Sequence, residues 1–158
     1  MNFIGRYYHA LEQKGRIAIP AAFRKTLGTT AYLTRGLEGC LFLFPADVWE
    51  KNVSRIAGQP FTRKSVRDWS RLLLQNAQAV EFDPQGRILI HDHLLASAKL
   101  TNECVIAGSG DYLEIWDRST YHTYLDQLES QAEEAIGEEN TKKLKKKSKK
   151  LLKNLFGD

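Results

Sequence analysis

The sequence contains few residues of the kind that build covalent frameworks or metal centres. Its 158 residues include only two cysteines, Cys40 and Cys104, and neither belongs to a CxxC or Cys/His cluster. This spacing argues against both a disulfide framework and a zinc site. We therefore predict two buried free thiols.

Long apolar runs are missing as well. No stretch approaches the roughly 18 apolar residues that a transmembrane helix requires. The first 16 residues are interrupted by Arg6, His9, Glu12 and Lys14, so they contain no signal-peptide core. We expect a cytoplasmic protein.

The formal charge of +4 is distributed unevenly. Residues 141–158 contain eight Lys and one Asp, a local charge of +7, which leaves about −3 for the first 140 residues. The body of the chain therefore lacks the general positive field of a nucleic-acid coat. Its composition, 42% apolar and 27% charged for the whole chain, is that of a globular protein.

The chain repeats itself at an offset of 71 residues. Residues 11–19 match residues 82–90, with the Gly, the Arg and both Ile identical, and 40–45 match 112–117 after a one-residue slip. Two homologous units of about 45 residues are implied. Each is close to the lower size limit for an independent core, so we expect them to share one.

Each unit has the same predicted order of elements. A turn ending in Gly leads into a strand whose two Ile face one side and whose Arg faces the other. A short helix follows, with Pro20 at its first position and Gly28 at its end in the first unit. Two strands and a closing helix complete the unit. The predicted strands are 16–19, 31–34, 40–44, 87–90, 104–107 and 112–116, and the helices are 21–27, one from near Pro45, and one from an Asp117 cap to Ile136.

Residues 62–76 are predicted to form an amphipathic helix that links the units. Their apolar residues recur at helical spacing, and Lys64, Arg67 and Arg71 share another face. A solvated face is the commoner meaning of such a basic stripe, and contact with phosphates is the alternative.

A carboxylate-x-x-Gly-Arg element occurs twice, once in each unit. It runs from Glu12 to Arg16 and from Asp83 to Arg87, and the second copy has the residue preferences of a β-turn. The carboxylate can pair with the Arg and staple the turn, although an exposed pair contributes only about 0–1 kcal/mol. Each Arg also faces outward, where it can make a bidentate contact with guanine or phosphate. The residues alone leave both roles open.

With these two elements, the segments 39–45, 71–74 and 112–117 make the chain resemble the MraZ family of bacterial transcriptional regulators. The resemblance covers roughly Phe3 to Leu125. It implies a mainly β fold with short helices, in which two tandem SpoVT/AbrB-like units form a pseudo-twofold double-split β-barrel. We divide the chain into a first unit at 5–54, a linking helix region at 55–78, a second unit at 79–125 and a charged C-terminal helix or tail at 126–158.

The resemblance also implies a ring-shaped homo-oligomer that binds double-stranded DNA at the nucleoid. Its sites would be direct repeats upstream of its own cell-division and cell-wall genes, spaced by about one helical turn of roughly 10 bp. The family's Asp-x-x-x-Arg motif maps onto Glu12 with Arg16 and onto Asp83 with Arg87. We expect DNA contacts from Lys14, Arg16, Arg24, Gln85 and Arg87, and turn stapling from Glu12, Gly15, Asp83 and Gly86.

Other candidate sites have simpler interpretations. His91 and His93 flank Asp92 at a strand-to-helix junction without a third ligand nearby, so we predict no metal site. No nucleophile, phosphate loop or cofactor fingerprint accompanies Glu12 and Asp83, so we predict neither an enzyme nor a cofactor. The aromatic residues at matching repeat positions are expected to pack in the core.

The C-terminal segment has an acidic part up to Glu139 and a Lys-rich part with interspersed Leu residues. It is compatible with a helix whose acidic and basic halves attract neighbours, with an arm that adds non-specific phosphate affinity, or with a solvated tail. A scaffold or RNA-associated protein that uses this Lys-rich tail is the alternative to a DNA-binding repressor.

Overall fold

The computed structural model describes residues 2–136 and 141–156, with side chains for 2–136 and 145–155. The chain falls into two compact units, residues 1–120 and 121–158. The strands are β1 (Arg6–Ala10), β2 (Arg16–Ala18), β3 (Thr30–Arg35), β4 (Leu41–Pro45), β5 (Gln78–Glu81), β6 (Arg87–Leu89), β7 (Glu103–Gly108) and β8 (Leu113–Asp117). The helices are α1 (Ala21–Leu27), α2 (Ala46–Ala57), α3 (Lys64–Trp69) with a π-helical turn (Ser70–Leu74), α4 (Asp92–Ser97), α5 (Arg118–Ile136) and α6 (Thr141–Phe156).

The strands form two antiparallel sheets that follow the sequence repeat. One sheet has the order β1-β7-β8-β4-β3-β5, and the other pairs β2 with β6. Since β5 to β8 repeat β1 to β4, the six-stranded order reads the same from either end. The first strand of each repeat pairs with the third strand of the other, so neither repeat has a complete sheet alone. The predicted mainly β fold with short helices and two tandem repeats is confirmed.

The predicted alternation along β2 and β6 is also confirmed. Ile17 lies opposite Ile88 in the ladder, and both are at most 1% exposed. Ile19 and Ile90, which follow these strands, are buried to the same extent. The two repeats therefore share one core, whose centre is the pairing of equivalent isoleucines.

Local signals set the bounds of α1. The helix covers the predicted residues and ends at Gly28, whose φ of +79° places it in the region that favours glycine. The Gly28 N–H donates to the Arg24 carbonyl at 3.1 Å. Pro20, expected as the first helical residue, instead precedes the helix with an extended ψ of 138°. Its fixed φ suits either position, so the sequence signal is accurate to one residue.

The linking segment is helical, and its cations are bound locally. Asp68 accepts from Lys64 at 2.7 Å and from Arg71 at 3.0 Å, and these hydrogen bonds lower its pKa. The Arg67 guanidinium donates to two backbone carbonyls at the start of the segment. The basic stripe thus has partners within its own segment, as a solvated face would.

Both cysteines are buried free thiols, as predicted. Burial is the main cause that raises the pKa of Cys104 to about 12, and it also raises the pKa of Cys40. The raised pKa values favour the protonated form of both thiols, which is a weak nucleophile.

The C-terminal segment is helical where it is described. Helix α5 begins directly after Asp117, as predicted, and is described as far as Ile136, and α6 contains all eight lysines of this segment. Glu138 and Glu139, which belong to the predicted acidic part, lie outside the described residues. No helix within 2–136 or 141–156 is both long and apolar enough to cross a bilayer.

The Gly-Arg turns of the two repeats interlock through their backbones. Ile90 N–H donates to the Gly15 carbonyl at 2.8 Å, and Ile19 N–H donates to the Gly86 carbonyl at 3.0 Å. A Cβ placed on Gly15 would lie 2.7 Å from the Ile90 carbonyl oxygen, and the φ of Gly15 is +78°. Glycine is therefore needed at this turn for close approach as well as for conformation.

These two demands can be separated by substitution. Gly39 also has a positive φ, +91°, but a Cβ there would meet nothing within 4 Å. We expect Gly39→Ala to lower the free energy of unfolding by about 1–2 kcal/mol through backbone strain, and Gly15→Ala to cost about 1–3 kcal/mol more through overpacking. Urea denaturation measures both, and equal losses would contradict the interlocked turns.

Candidate functional site

The two carboxylate-x-x-Gly-Arg elements fold as matching turns. In each, the backbone N–H of the carboxylate residue donates to the carbonyl of the Arg four positions later, at 2.7 Å in the Glu12 turn and 2.9 Å in the Asp83 turn. The Arg of each turn is the first residue of the strand that follows, β2 in the first repeat and β6 in the second. Because these strands pair with each other, the elements meet in one two-stranded ribbon.

The outward side of this ribbon carries both arginines. Arg16 lies opposite Leu89 and Arg87 lies opposite Ala18, so the two Arg positions are diagonal neighbours. They share a side because the intervening isoleucines point into the core. We call the surface formed by Arg16, Ala18, Arg87 and Leu89 the ribbon face.

Asp83 holds Arg87 through both of its carboxylate oxygens. Oδ1 accepts the backbone N–H groups of Gln85 and Arg87, each at 2.9 Å, and Oδ2 accepts Nε of Arg87 at 2.8 Å. The hydrogen bond from the backbone N–H of Arg87 is the main cause that lowers the pKa of Asp83. The same carboxylate raises the pKa of Arg87, so both groups are charged across the physiological range.

The first copy of the element is not stapled in the same way. The Glu12 carboxylate lies 3.4 Å from Nη1 of Arg87 and makes no ion pair with Arg16. Glutamate is one methylene longer than aspartate, so it is less suited to the short-range bonds that Asp83 makes to its own turn. The staple expected between Glu12 and Arg16 is therefore replaced by a contact across the ribbon, between the repeats.

An open groove beside the ribbon collects the cations of the first turn. It has a volume of about 570 Å³ and is lined by Leu11, Glu12, Gln13, Lys14, Arg16 and Arg87. We call it the turn groove. Within the described residues, the side chains of Lys14 and Arg16 make no hydrogen bond or ion pair. The groove is thus lined by Arg87, which contacts two carboxylates, and by Lys14 and Arg16, whose charges are unpaired.

Arg24 and Gln85 do not line the turn groove. Nη1 of Arg24 donates to the Ile19 carbonyl at 2.7 Å, and its guanidinium packs against Gly86, where a Cβ would clash. Arg24 lines a separate depression with residues of the second turn. For Gln85, the contact described is the backbone bond to Asp83. The structure therefore brings together Lys14, Arg16 and Arg87, but not the other two expected DNA contacts.

The histidines near α4 have local partners. The backbone N–H of His91 donates to Oε1 of Gln78 at 2.8 Å, and the ring Nε2 of His93 lies 3.2 Å from the Asn76 carbonyl. Among the side chains described, no group of three or more His, Cys, Asp or Glu is placed to hold a metal ion.

Sequence reasoning missed one member of the site, the contact of Glu12 with Arg87. These residues are 75 positions apart and belong to different repeats, so no local pattern could reveal their contact. The antiparallel pairing of the two equivalent strands was the missing information, because it places the Glu12 turn beside Arg87.

The Asp83 staple has a predictable pH dependence. Because its pKa is lowered in the folded state, the stability that it contributes is present above its ordinary pKa of about 3.9 and is lost as the pH falls through the lowered value. We expect Asp83→Asn to reduce the urea midpoint at neutral pH, and the difference from wild type to shrink in acid. Asp111→Asn, an exposed control, should change little at either pH. A difference for Asp83→Asn that is independent of pH would contradict the staple.

Comparison with known proteins identifies the family. The model described as "MraZ protein, putative antitoxin-like" matches twice, at residues 2–72 and 73–144. A "Transcriptional regulator MraZ" of Halothermothrix orenii is 41% identical over 132 residues, which is 84% of this chain and 92% of that protein. Proteins of the same name from Moorella thermoacetica and Lactobacillus delbrueckii subsp. bulgaricus are 38% and 39% identical, covering 85% and 84% of this chain and 96% and 92% of their own lengths. With both repeats matched and relatives aligned over most of their length, the chain belongs to the MraZ family.

Proposed function

We propose that this protein is a DNA-binding transcriptional regulator that contacts DNA with the ribbon face and the turn groove. The observation that carries the proposal is the diagonal placement of Arg16 and Arg87 on the outward side of a two-stranded ribbon. The major groove of DNA admits a ribbon of this width, and Arg is the side chain that most often contacts guanine there. The relatives are named transcriptional regulators, and these names support a DNA-binding regulatory function.

The charge distribution indicates how such binding would work. The first 140 residues carry about −3, so affinity cannot come from a general positive surface. A few placed cations must supply it, and one subunit would bind weakly. Several copies in a ring would raise the avidity by about 10²- to 10⁴-fold if each ribbon met an equivalent groove. Assembly is then part of recognition.

The finer proposal concerns the target. A ring that presents identical ribbons along one side of DNA favours short direct repeats about 10 bp apart. We propose that these repeats lie upstream of the protein's own cell-division and cell-wall genes, that binding represses them, and that the protein acts in the cytoplasm at the nucleoid. Catalysis forms no part of this role.

The main experiment is a binding titration with two DNA duplexes, one from the region upstream of the protein's own gene and one with the same bases in scrambled order. Arg16→Ala should weaken binding to the upstream region by about 10- to 100-fold, as expected for one lost guanine contact, and should weaken binding to scrambled DNA much less. Arg55→Ala, which removes an exposed cation from α2, is the matched control and should bind like wild type.

Two results would overturn the proposal. One is equal affinity of the wild type for the two duplexes. The other is binding that survives Arg16→Ala with Arg87→Ala but vanishes when residues 141–158 are deleted. That second result would assign nucleic-acid binding to the Lys-rich tail and favour the scaffold or RNA-associated alternative.

A second prediction concerns Glu12, the carboxylate beside the unpaired cations of the turn groove. Its charge opposes the approach of phosphates and holds part of Arg87. We expect Glu12→Gln to tighten binding to any duplex by about two- to tenfold and to make it more dependent on salt. Glu50→Gln, an exposed carboxylate on α2, serves as control. Weaker binding by Glu12→Gln would show that its contact with Arg87 matters more than its charge.

A further inference from the structure

Helix α6 is the element that the family likeness leaves unexplained. The second matched segment ends at residue 144, whereas α6 extends from Thr141 to Phe156. The relatives from Lactobacillus delbrueckii and Moorella thermoacetica align over 132 and 138 residues of a 158-residue chain. The role of most of α6 must therefore be sought in its own side chains.

One face of α6 carries a stripe of exposed leucines. The side chains of Leu151, Leu152 and Leu155 are 62%, 54% and 67% exposed. At about 100° per residue, the three positions fall within an arc of about 100°, with Ser148 among them. We call this face the leucine stripe. In the part of the chain that the structure describes, it faces solvent.

The rest of the helix surface is basic. Six exposed lysines occur between residues 145 and 153, and residues 141–156 contain no Asp or Glu. The positions of Lys146, Lys150 and Lys153 lie opposite the leucine stripe, and the other three lysines lie between these positions and the stripe. These lysines are Lys145, Lys146, Lys147, Lys149, Lys150 and Lys153. Like charges at this density repel one another, so an anionic partner would stabilise the helix.

We infer that α6 is a peripheral membrane helix that lies flat on a bilayer containing anionic lipids. In this position the leucine stripe enters the boundary between headgroups and acyl chains, and the lysines beside the stripe, Lys145, Lys147 and Lys149, extend to the lipid phosphates. The lysines on the far side face water above the charged surface. Anionic headgroups attract polybasic segments of this kind. The inference does not depend on the proposed DNA contacts, because it concerns a different element.

DNA and a second copy of this chain would each interact favourably with only one of the two faces of α6. DNA would neutralise the lysines but leave the leucine stripe in water. An acidic helix of a second copy could cover the stripe but would leave Lys146 and Lys150, on the far side, without a counter-charge. A helix is about 10–12 Å across, and its apolar face is buried by about 5–10 Å. Even the lysines on the far side therefore lie within about one Debye length, 8–10 Å, of the charged surface. A bilayer therefore matches both faces.

The test is co-sedimentation of the full chain with lipid vesicles. Wild type should sediment with vesicles of equal parts phosphatidylcholine and phosphatidylglycerol, and not with phosphatidylcholine alone. Leu151→Asn with Leu155→Asn should weaken partitioning by about tenfold or more. Leu128→Asn with Ile136→Asn, which changes exposed apolar residues of α5, is the matched control and should bind like wild type.

A second variant tests the charge requirement separately. Lys149→Gln with Lys150→Gln retains the leucine stripe and should weaken binding to the vesicles that contain phosphatidylglycerol by about 10- to 30-fold, because each lysine near an anionic surface contributes about 1 kcal/mol. The inference is overturned if wild type sediments with neither vesicle type. It is equally overturned if the Leu151 and Leu155 variant binds the vesicles that contain phosphatidylglycerol as tightly as wild type does. It is also overturned if the lysine variant loses only DNA affinity, which would make α6 a nucleic-acid arm. DNA preference that depends on Arg16 is expected to survive in all these variants, so the two proposals can fail separately.

Discussion

The ladder between β2 and β6 is the constraint on which the rest of the structure depends. It joins equivalent strands of the two repeats, so Ile17 and Ile88 meet at the centre of the shared core. Because side chains alternate along a strand, burying these isoleucines turns Arg16 and Arg87 outward. A slip of one residue would bury the arginines and expose the isoleucines. Burial of the isoleucines therefore both stabilises the fold and places Arg16 and Arg87 on the outward ribbon face.

The symmetry of the backbone does not extend to the charges. Arg87 is held by Asp83 and approached by Glu12, whereas Arg16 has neither partner. Arg87 is thus oriented in advance, which reduces the entropy lost on contact with a ligand, and Arg16 retains its freedom. The first turn has Glu12 where the second has Asp83, and the longer side chain contacts the other repeat instead of its own turn. The two halves of the ribbon would then contribute unequally to recognition.

Local signals made much of the fold predictable. Pro20 and Gly28 bracket α1 and set its bounds to within a residue, and the 71-residue repeat revealed the shared core. Strands β1 and β5 were not predicted, because β1 is mostly exposed and β5 has only four residues. The Glu12 contact with Arg87 was missed because it joins the two repeats. What the sequence does not show is which repeat supplies each partner, since that depends on pairing between distant segments.

Dimethyl sulfate footprinting of guanine N7, which lies in the major groove, tests recognition by the ribbon face most directly when it is applied to the DNA upstream of the protein's own gene. The ribbon face predicts protected guanines at a regular spacing of about one helical turn, with protection lost in Arg16→Ala. Protection that is unchanged in Arg16→Ala, or an absence of major-groove protection at concentrations where the protein binds, would contradict recognition by the ribbon face.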